Sequence, residues 1–571
     1  MAKKSLPNIT KETFSMTARD SIRLDADVYR PDTQEKLPIL LMRQPYGKAI
    51  ASTVVYAHPT WYAARGYIVV IQDVRGRGTS EGKFRLFETE IADGIDTINW
   101  LSQFPGSTGE IGMYGFSYQG MTQLYAATGK FSRLKAIAPA MIGYDLYADW
   151  AYENGAFCLQ ANLGWAIQLA AETARLKGDE TAYGQLYLAS RNLPLNDFIP
   201  ANPEVICKFA ADSFYHDWLR QPSDSEYWKK LSPKYLLEDV DLPMLHIGGW
   251  FDPYLRGTLN LYHAMSQKSQ YPQHLIVAPW AHLPWGRKLG TVDYGIEANN
   301  FIDEAQVRWF DHFLKGKDTG ILDEAPISLF EMGSNQWRYL KKFPLQTATY
   351  YLASDGLAAM KEDGGMLREY QEDTAENNSL SATSENSNDY LTAKTPTEFA
   401  NVRDTIVHDP WRPVTALGGH AAFPGGSFER SSLDCRSDVL TYTSLPLKTD
   451  LHIVGVVTVQ LYYAVDKPSF DLCAVLSEVY PDGRVLNFTQ GYIKVDSPDK
   501  FVTIPLQATC MKLSAGNSLR LSLSGACFPA YPVNSGTNKP LWKSHLIDNQ
   551  IITISIASGV DYPSFVRLNT L

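Results

Sequence analysis

Gly115-Phe116-Ser117-Tyr118-Gln119-Gly120 places a serine between glycines where the texture of the chain changes. An apolar run, Ile111-Gly112-Met113-Tyr114, leads in, and a helical pattern from Met121 to Thr128 leads out. The pattern predicts a strand, a sharp turn and a helix, with the serine at the bend. Such a turn is strained, so its flanking residues must be small or accept unusual dihedrals. The strain lifts the hydroxyl clear of the backbone, and the helix N-terminus behind it favours developing negative charge. Ser117 is therefore a candidate nucleophile. The match to G-x-S-x-G is incomplete: Gln119 holds the place of the second glycine, and Gly120 follows it. An ordinary strand-helix turn reads the same way, so the weight of Ser117 depends on an acid and a histidine downstream.

Upstream, Ile22 to Tyr29 alternates as a half-buried strand does, and Leu37–Met42 and Tyr67–Ile71 are continuous apolar runs typical of buried strands. The first run opens into Arg43-Gln44-Pro45-Tyr46-Gly47-Lys48. The second opens into Asp73-Val74-Arg75-Gly76-Arg77-Gly78-Thr79-Ser80-Glu81-Gly82. Those glycines lack a following G-K-[ST] and the dinucleotide spacing, so a structural loop with Asp73 and Arg75 in charged hydrogen bonds outweighs a phosphate cradle. Glu90 to Phe104 reads as an amphipathic helix. Its acidic residues Glu88, Glu90, Asp93 and Asp96 fit a solvated or salt-bridged face better than a metal site. Strand-helix alternation up to the strand Leu134–Pro139 predicts a parallel sheet covered on both faces.

After Ala140 the pattern becomes helical as far as Leu237; Ala161 to Leu176 is one helix, with Trp165 among its apolar positions, and Trp150, Trp218 and Trp228 add bulk. Such an insertion is expected to cap a site, or to pack as a bundle beside the sheet. The sheet resumes at Leu242–Gly249, followed by Trp250-Phe251-Asp252-Pro253-Tyr254. It continues at His274–Ala278, followed by Pro279-Trp280-Ala281-His282. Asp252 and His282 each fall just past the carboxyl end of a strand, where open α/β sheets hold their ligands. Alone, Asp252 fits a helix N-cap and His282 a satisfied loop histidine. With Ser117 they give the order Ser…Asp…His of α/β-hydrolases. The other histidines show no metal spacing, and His246 reads as core.

The 571 residues are 45% hydrophobic and 20% charged, enough for several domains with real cores. A net charge of −10 without a basic run argues against nucleic acid or an anionic membrane as partner. Met1 to Pro7 carries two lysines but no apolar run, so neither a signal peptide nor a membrane span is expected. Six cysteines without a C-x-x-C pair suit reduced, mostly buried thiols in the cytoplasm. From about Ile327 short alternating segments and turn signals predict an all-β half of jelly-roll type. Lys361 to Asp389 is polar and acidic, expected as a loop excursion. The expected architecture is thus an α/β-hydrolase core (1–143 and 241–345), an all-helical cap (144–240) and a C-terminal β jelly roll (346–571). The β-domain is expected to be structural rather than sugar-binding.

Taken jointly, Gly-Phe-Ser-Tyr-Gln-Gly, Trp-Phe-Asp-Pro-Tyr, Ala-Pro-Trp-Ala-His, Arg-Gln-Pro-Tyr-Gly-Lys and Gln-Asp-Val-Arg-Gly-Arg-Gly-Thr-Ser-Glu-Gly resemble the bacterial cocaine esterase and X-Pro dipeptidyl-peptidase family. The likeness runs nearly the whole length, and the family's elbow, G-x-S-Y-x-G, accommodates Gln119. Asp20-Ser21 stands where the family usually has Asp-Gly, at a turn away from the site. The resemblance implies Ser117 as nucleophile, Asp252 as acid and His282 as base. It implies the Tyr118 backbone N–H and the Tyr46 hydroxyl as oxyanion donors, with no cofactor and no metal. The implied substrate is a small ester or a short peptide-like molecule, and an ester with an apolar, aromatic pocket is favoured. An X-Pro dipeptidyl-peptidase or an amino-acid ester or β-lactam acylase on the same residues stays open, with Asp145, Asp149 and Glu153 as carboxylates for a substrate ammonium. The chain is compact for a dedicated X-Pro peptidase. A catalytically silent binding protein is the rival of another class, and a homodimer is the assembly left to test.

Overall fold

In the computed structural model, residues 8–49, 53–369, 401–496 and 499–571 are described. The N-terminal reading of Met1 to Pro7 lies outside them, as does most of the polar stretch after Lys361. The described start of that stretch is no loop, since Gly365–Glu369 forms a strand paired with Gln346–Ser354.

The strands of the first half are β1 (Ile9–Thr17), β2 (Arg23–Pro31), β3 (Leu37–Gln44), β4 (Ile68–Asp73), β5 (Ser107–Phe116) and β6 (Leu134–Ala140). A small ribbon follows, β7 (Tyr152–Glu153) and β8 (Ala156–Phe157). Then come β9 (Met244–Phe251) and β10 (Gln273–Ala281). One sheet runs in the order β1-β2-β4-β3-β5-β6-β9-β10, then Ile327–Glu331 and Gln336–Leu340. It is parallel from β4 to Ile327–Glu331. Its edges are antiparallel. Strands β4 and β9 are buried at every residue, as the continuous apolar runs demand of strands covered on both faces. Ile327–Glu331, where the all-β texture begins but still inside the expected core bound of 345, pairs in parallel with β10.

Between β6 and β9 the chain is helical, chiefly Leu159–Lys177 and Glu180–Arg191, and the ribbon β7–β8 interrupts it. The long helix ends at Gly178 in the left-handed conformation, with Arg175 and Lys177 in its last turn, a favourable C-terminus on both counts. The elements from Gln346–Ser354 to Phe565–Thr570 build the second sheet, the C-terminal jelly roll, largely antiparallel.

The two largest cores among the described residues each join different parts of the chain. One joins the elbow helix, through Tyr118, Met121 and Leu124, to cap residues Trp150, Leu163 and Trp218. The other joins Trp250, Phe251 and Leu255 to jelly-roll residues such as Leu461, Leu521 and Leu568. The strand that delivers Asp252 thus shares its core with the C-terminal domain. No helix among the described residues is long and apolar enough to cross a membrane. The six cysteines are unpaired; Cys473, Cys510 and Cys527 are buried, Cys158 and Cys207 are half-buried, and Cys435 is exposed.

Candidate active site

Ser117 sits between β5 and the helix Tyr118–Ala127 with φ 59° and ψ −126°. Such a conformation costs a non-glycine residue about 1–3 kcal/mol. It is held by Ser117 N donating to Ala140 O at 2.9 Å, and by Gly120 N and Met121 N donating back to Ser117 O. The flanking glycines have separate steric causes. A Cβ on Gly115 would lie 2.5 Å from Gln119 Cβ, and one on Gly120 would lie 2.4 Å from Ile142 Cγ2 and 2.9 Å from Ala140 O. Residue 120, not 119, faces the end of β6, so the second glycine is displaced by one position. The helix starts three residues before its periodicity announces it.

Register brings the other two residues together. Phe251 pairs with Ala281 across β9 and β10, so the next residues, Asp252 and His282, emerge side by side. His282 Nδ1 lies 2.8 Å from Asp252 Oδ1. A carboxylate only accepts, so the ring carries a proton on Nδ1 and leaves Nε2 free to accept. Asp252 is fully buried and makes no N-cap: the following helix, Leu255–Lys268, has no side-chain cap, and Asp252 contributes its carbonyl to Leu255 N instead. The Phe116 ring stands 5.4 Å from the imidazole, and Tyr254 packs edge-on against it at 4.9 Å. Thus the residue before the elbow serine touches the histidine. No hydrogen bond among the described residues joins Ser117 Oγ to His282, a contact that commonly tightens only with substrate.

Of the two residues expected as oxyanion donors, Tyr118 directly follows the elbow serine and Tyr46 follows strand β3. Tyr118 is the first residue of its helix, so its N–H has no intrahelical acceptor. Its side chain points away, donating to Glu90 Oε1 at 2.8 Å, and Glu90 Oε2 accepts from Arg43 at 2.6 Å. The Tyr46 hydroxyl accepts from Trp165 Nε1 of the cap at 3.0 Å. Burial pushes the Tyr46 phenol up to about 12. Trp150 stacks on Tyr254 at 4.2 Å and meets Trp165 at 5.5 Å, so the cap lines this region with aromatic rings.

The acidic residues are otherwise engaged. Asp96 pairs with Arg19, Asp93 with Arg75 and Glu88 with Arg85. Asp73 accepts from Lys48 N, Lys48 Nζ and Thr79 N, and a Cβ on Gly78 would lie 1.9 Å from its carboxylate. The glycine-rich loop therefore closes on its own aspartate. Asp145 pairs with Lys234, and Asp149 accepts from Asn260 and from Asp145 N. Glu153 forms an ion pair with Arg256 and accepts from His420 and Tyr531. His246 is buried against Gln273. Among the described residues no group of three potential ligands is poised for a metal.

The family model described as X-Pro dipeptidyl-peptidase (S15 family) matches residues 20–284. The one described as X-Pro dipeptidyl-peptidase C-terminal non-catalytic domain matches residues 299–557. The chain belongs to the cocaine esterase and X-Pro dipeptidyl-peptidase family of α/β-hydrolases. It is 28% identical over 581 residues to cocaine esterase of Rhodococcus sp. (strain MB1 Bresler), covering 96% of each chain. An aminopeptidase from the marine sediment archaeon Thaumarchaeota archaeon has a TM-score of 0.78 at 21% identity, covering 100% of this chain and 98% of that one. An α-amino acid ester hydrolase has a TM-score of 0.76 at 20% identity, covering 100% and 98%. At these identities the two structures speak for the fold alone. The family's enzymes hydrolyse ester or peptide bonds.

Trp165 and Gln507, whose amide reaches the Asp252 loop from the jelly roll, are neighbours of the site that the sequence did not single out. Trp165 reads locally as one apolar position of a helix, and nothing near Gln507 marks it.

Proposed function

We propose that the protein is a serine hydrolase that cleaves carboxylic esters through Ser117, His282 and Asp252 and a covalent acyl-enzyme. The observation that carries this reading is the His282–Asp252 hydrogen bond in the same parallel sheet as a strained serine elbow, in the order β5-β6-β9-β10. His282 Nε2 takes the Ser117 proton as Oγ attacks the acyl carbonyl. Asp252 keeps the imidazole in the required tautomer and stabilises the imidazolium. The carbonyl oxygen gains negative charge, which the Tyr118 N–H and the Tyr46 hydroxyl meet as already oriented donors. His282 then protonates the leaving alcohol, and water, activated by the same histidine, releases the acid.

Paired carboxylates support an ester over a substrate with a free amine. Asp145, Asp149 and Glu153, the acidic residues weighed for an ammonium, are tied to Lys234, Asn260 and Arg256. Aromatic rings of the cap suit an apolar acyl or alcohol group instead. A fluorophosphonate is expected to label Ser117, and Ser117→Ala is expected to lose nearly all turnover of p-nitrophenyl acyl esters while staying folded. Faster cleavage of Ala-Pro-anilide than of the esters would move the assignment to a dipeptidyl-peptidase. Absence of labelling would leave a binding protein.

A further inference from the structure

We infer that Gln507, in the domain whose family is described as non-catalytic, is a positioning residue for Asp252. The inference rests on the ester-hydrolase reading of Ser117, His282 and Asp252. Gln507 is buried, and its Nε2 donates to Asp252 O at 2.8 Å and to Trp250 O at 3.2 Å. The orientation of the amide follows from its partners, since an oxygen there would face two carbonyl oxygens. Gln507 is fixed in turn: its N–H donates to Gln490 O, and its carbonyl accepts from Thr489 Oγ1 at 2.6 Å. Both partners belong to the jelly-roll strand Val485–Val495.

This grip matters because of how Asp252 is held. Its Oδ1 accepts from His282, while its buried Oδ2 has no partner among the described residues. No other described side chain bonds to the carboxylate, so the backbone of residues 250–252 sets its direction. Within the hydrolase domain that backbone has Asp252 N donating to Gly249 O, and Leu255 N donating to Asp252 O. Gln507 adds two bonds from the other side. The same face of the jelly roll approaches the histidine strand, where a Cβ on Gly425 would lie 3.4 Å from Ala281 Cβ and 3.5 Å from Phe251 O. Both strand ends that present the acid and the base therefore rest on the C-terminal domain.

The test uses the full chain with Gln507→Leu, which removes both donors, and Gln507→Asn, which keeps a polar amide but withdraws it by one methylene. Each is assayed with a p-nitrophenyl acyl ester at neutral pH for kcat and KM separately, beside a thermal melt. Small misplacements of catalytic groups cost up to about 10²-fold. The expected result is a kcat lowered about 10- to 100-fold in Gln507→Leu, and less in Gln507→Asn, with KM changed less than about twofold. A folded variant with the parental kcat overturns the inference, as does a loss confined to KM. Fluorophosphonate labelling of the unaltered protein separates the two readings: without it the hydrolase assignment fails, and with it only the role of Gln507 is at stake.

Discussion

Trp165 of the cap donates its indole N–H to the hydroxyl of Tyr46 in the core at 3.0 Å. An indole can only donate, so the Tyr46 oxygen is the acceptor and its own proton stays available for a substrate oxygen. Burial pushes the phenol to about 12, which keeps that proton in place throughout neutral pH. Tyr46→Phe is expected to lower kcat by about 10²–10³, the usual loss of one oxyanion donor. Trp165→Phe keeps the phenol but frees its direction, at a cost of about one net hydrogen bond, or roughly tenfold. Steady-state kinetics on one ester would rank the two, and an equal or reversed order would remove Tyr46 from the oxyanion role.

Tyr118 separates backbone from side chain. Its hydroxyl serves the buried Glu90–Arg43 pair and not the site. Tyr118→Phe should leave kcat within about twofold while destabilising the fold by about 1–3 kcal/mol, the cost of an unmet buried acceptor. Urea denaturation beside the ester assay would show this. A large fall in kcat with unchanged stability would contradict it.

Arg43 and Glu90 are both fully buried and joined at 2.6 Å. Removing one partner leaves an uncompensated charge, so Arg43→Ala is expected to cost about 3–5 kcal/mol. The measurement is the shift in unfolding free energy. A cost below about 1 kcal/mol would mean that the pair is solvated in practice.

Asp252→Asn keeps size and hydrogen bonding but favours the wrong imidazole tautomer. At neutral pH kcat should fall by about 10⁴, with the melting curve little changed. Parental activity in that variant would point to another acid.

Glu153 gives a pH signature of stability. Burial alone would raise its carboxyl, but Arg256, His420 and Tyr531 outweigh burial and hold it well below the usual carboxylate range. A depressed carboxyl stabilises the fold above its unfolded-state pKa and loses that contribution as pH falls through the folded one. Unfolding midpoints should therefore fall as pH drops below the ordinary glutamate value of about 4.3. In Glu153→Gln this part of the acid loss should vanish, and an unchanged profile would assign it to other carboxylates.

What the sequence discloses here is local. Apolar runs mark β3, β4, β9 and β10, and a strand end followed by a polar residue marks Asp252 and His282. Sheet membership is less legible, because it depends on partners far along the chain. Ile327–Glu331 looks like the other β segments but joins the hydrolase sheet. The exposed, polar strand β1 carries no clear alternation and went unread. The helix after Ser117 begins at Tyr118, whose ring and whose neighbour Gln119 disguise its first turn. The supports of the site join residues far apart in the chain: 119 residues separate Trp165 from Tyr46, 255 separate Gln507 from Asp252, and 378 separate Tyr531 from Glu153. No spacing rule reaches that far.

The Glu153 cluster bears on how such chains exchange parts. Its glutamate comes from the cap ribbon, Arg256 from the hydrolase helix after Asp252, and His420 and Tyr531 from the jelly roll. A lid grafted from a relative would bring its own residue at position 153 into a setting built for a carboxylate. Recombination that treats the lid as an interchangeable cassette would strand a half-buried arginine, so viable chimeras must inherit all four residues as one linkage group.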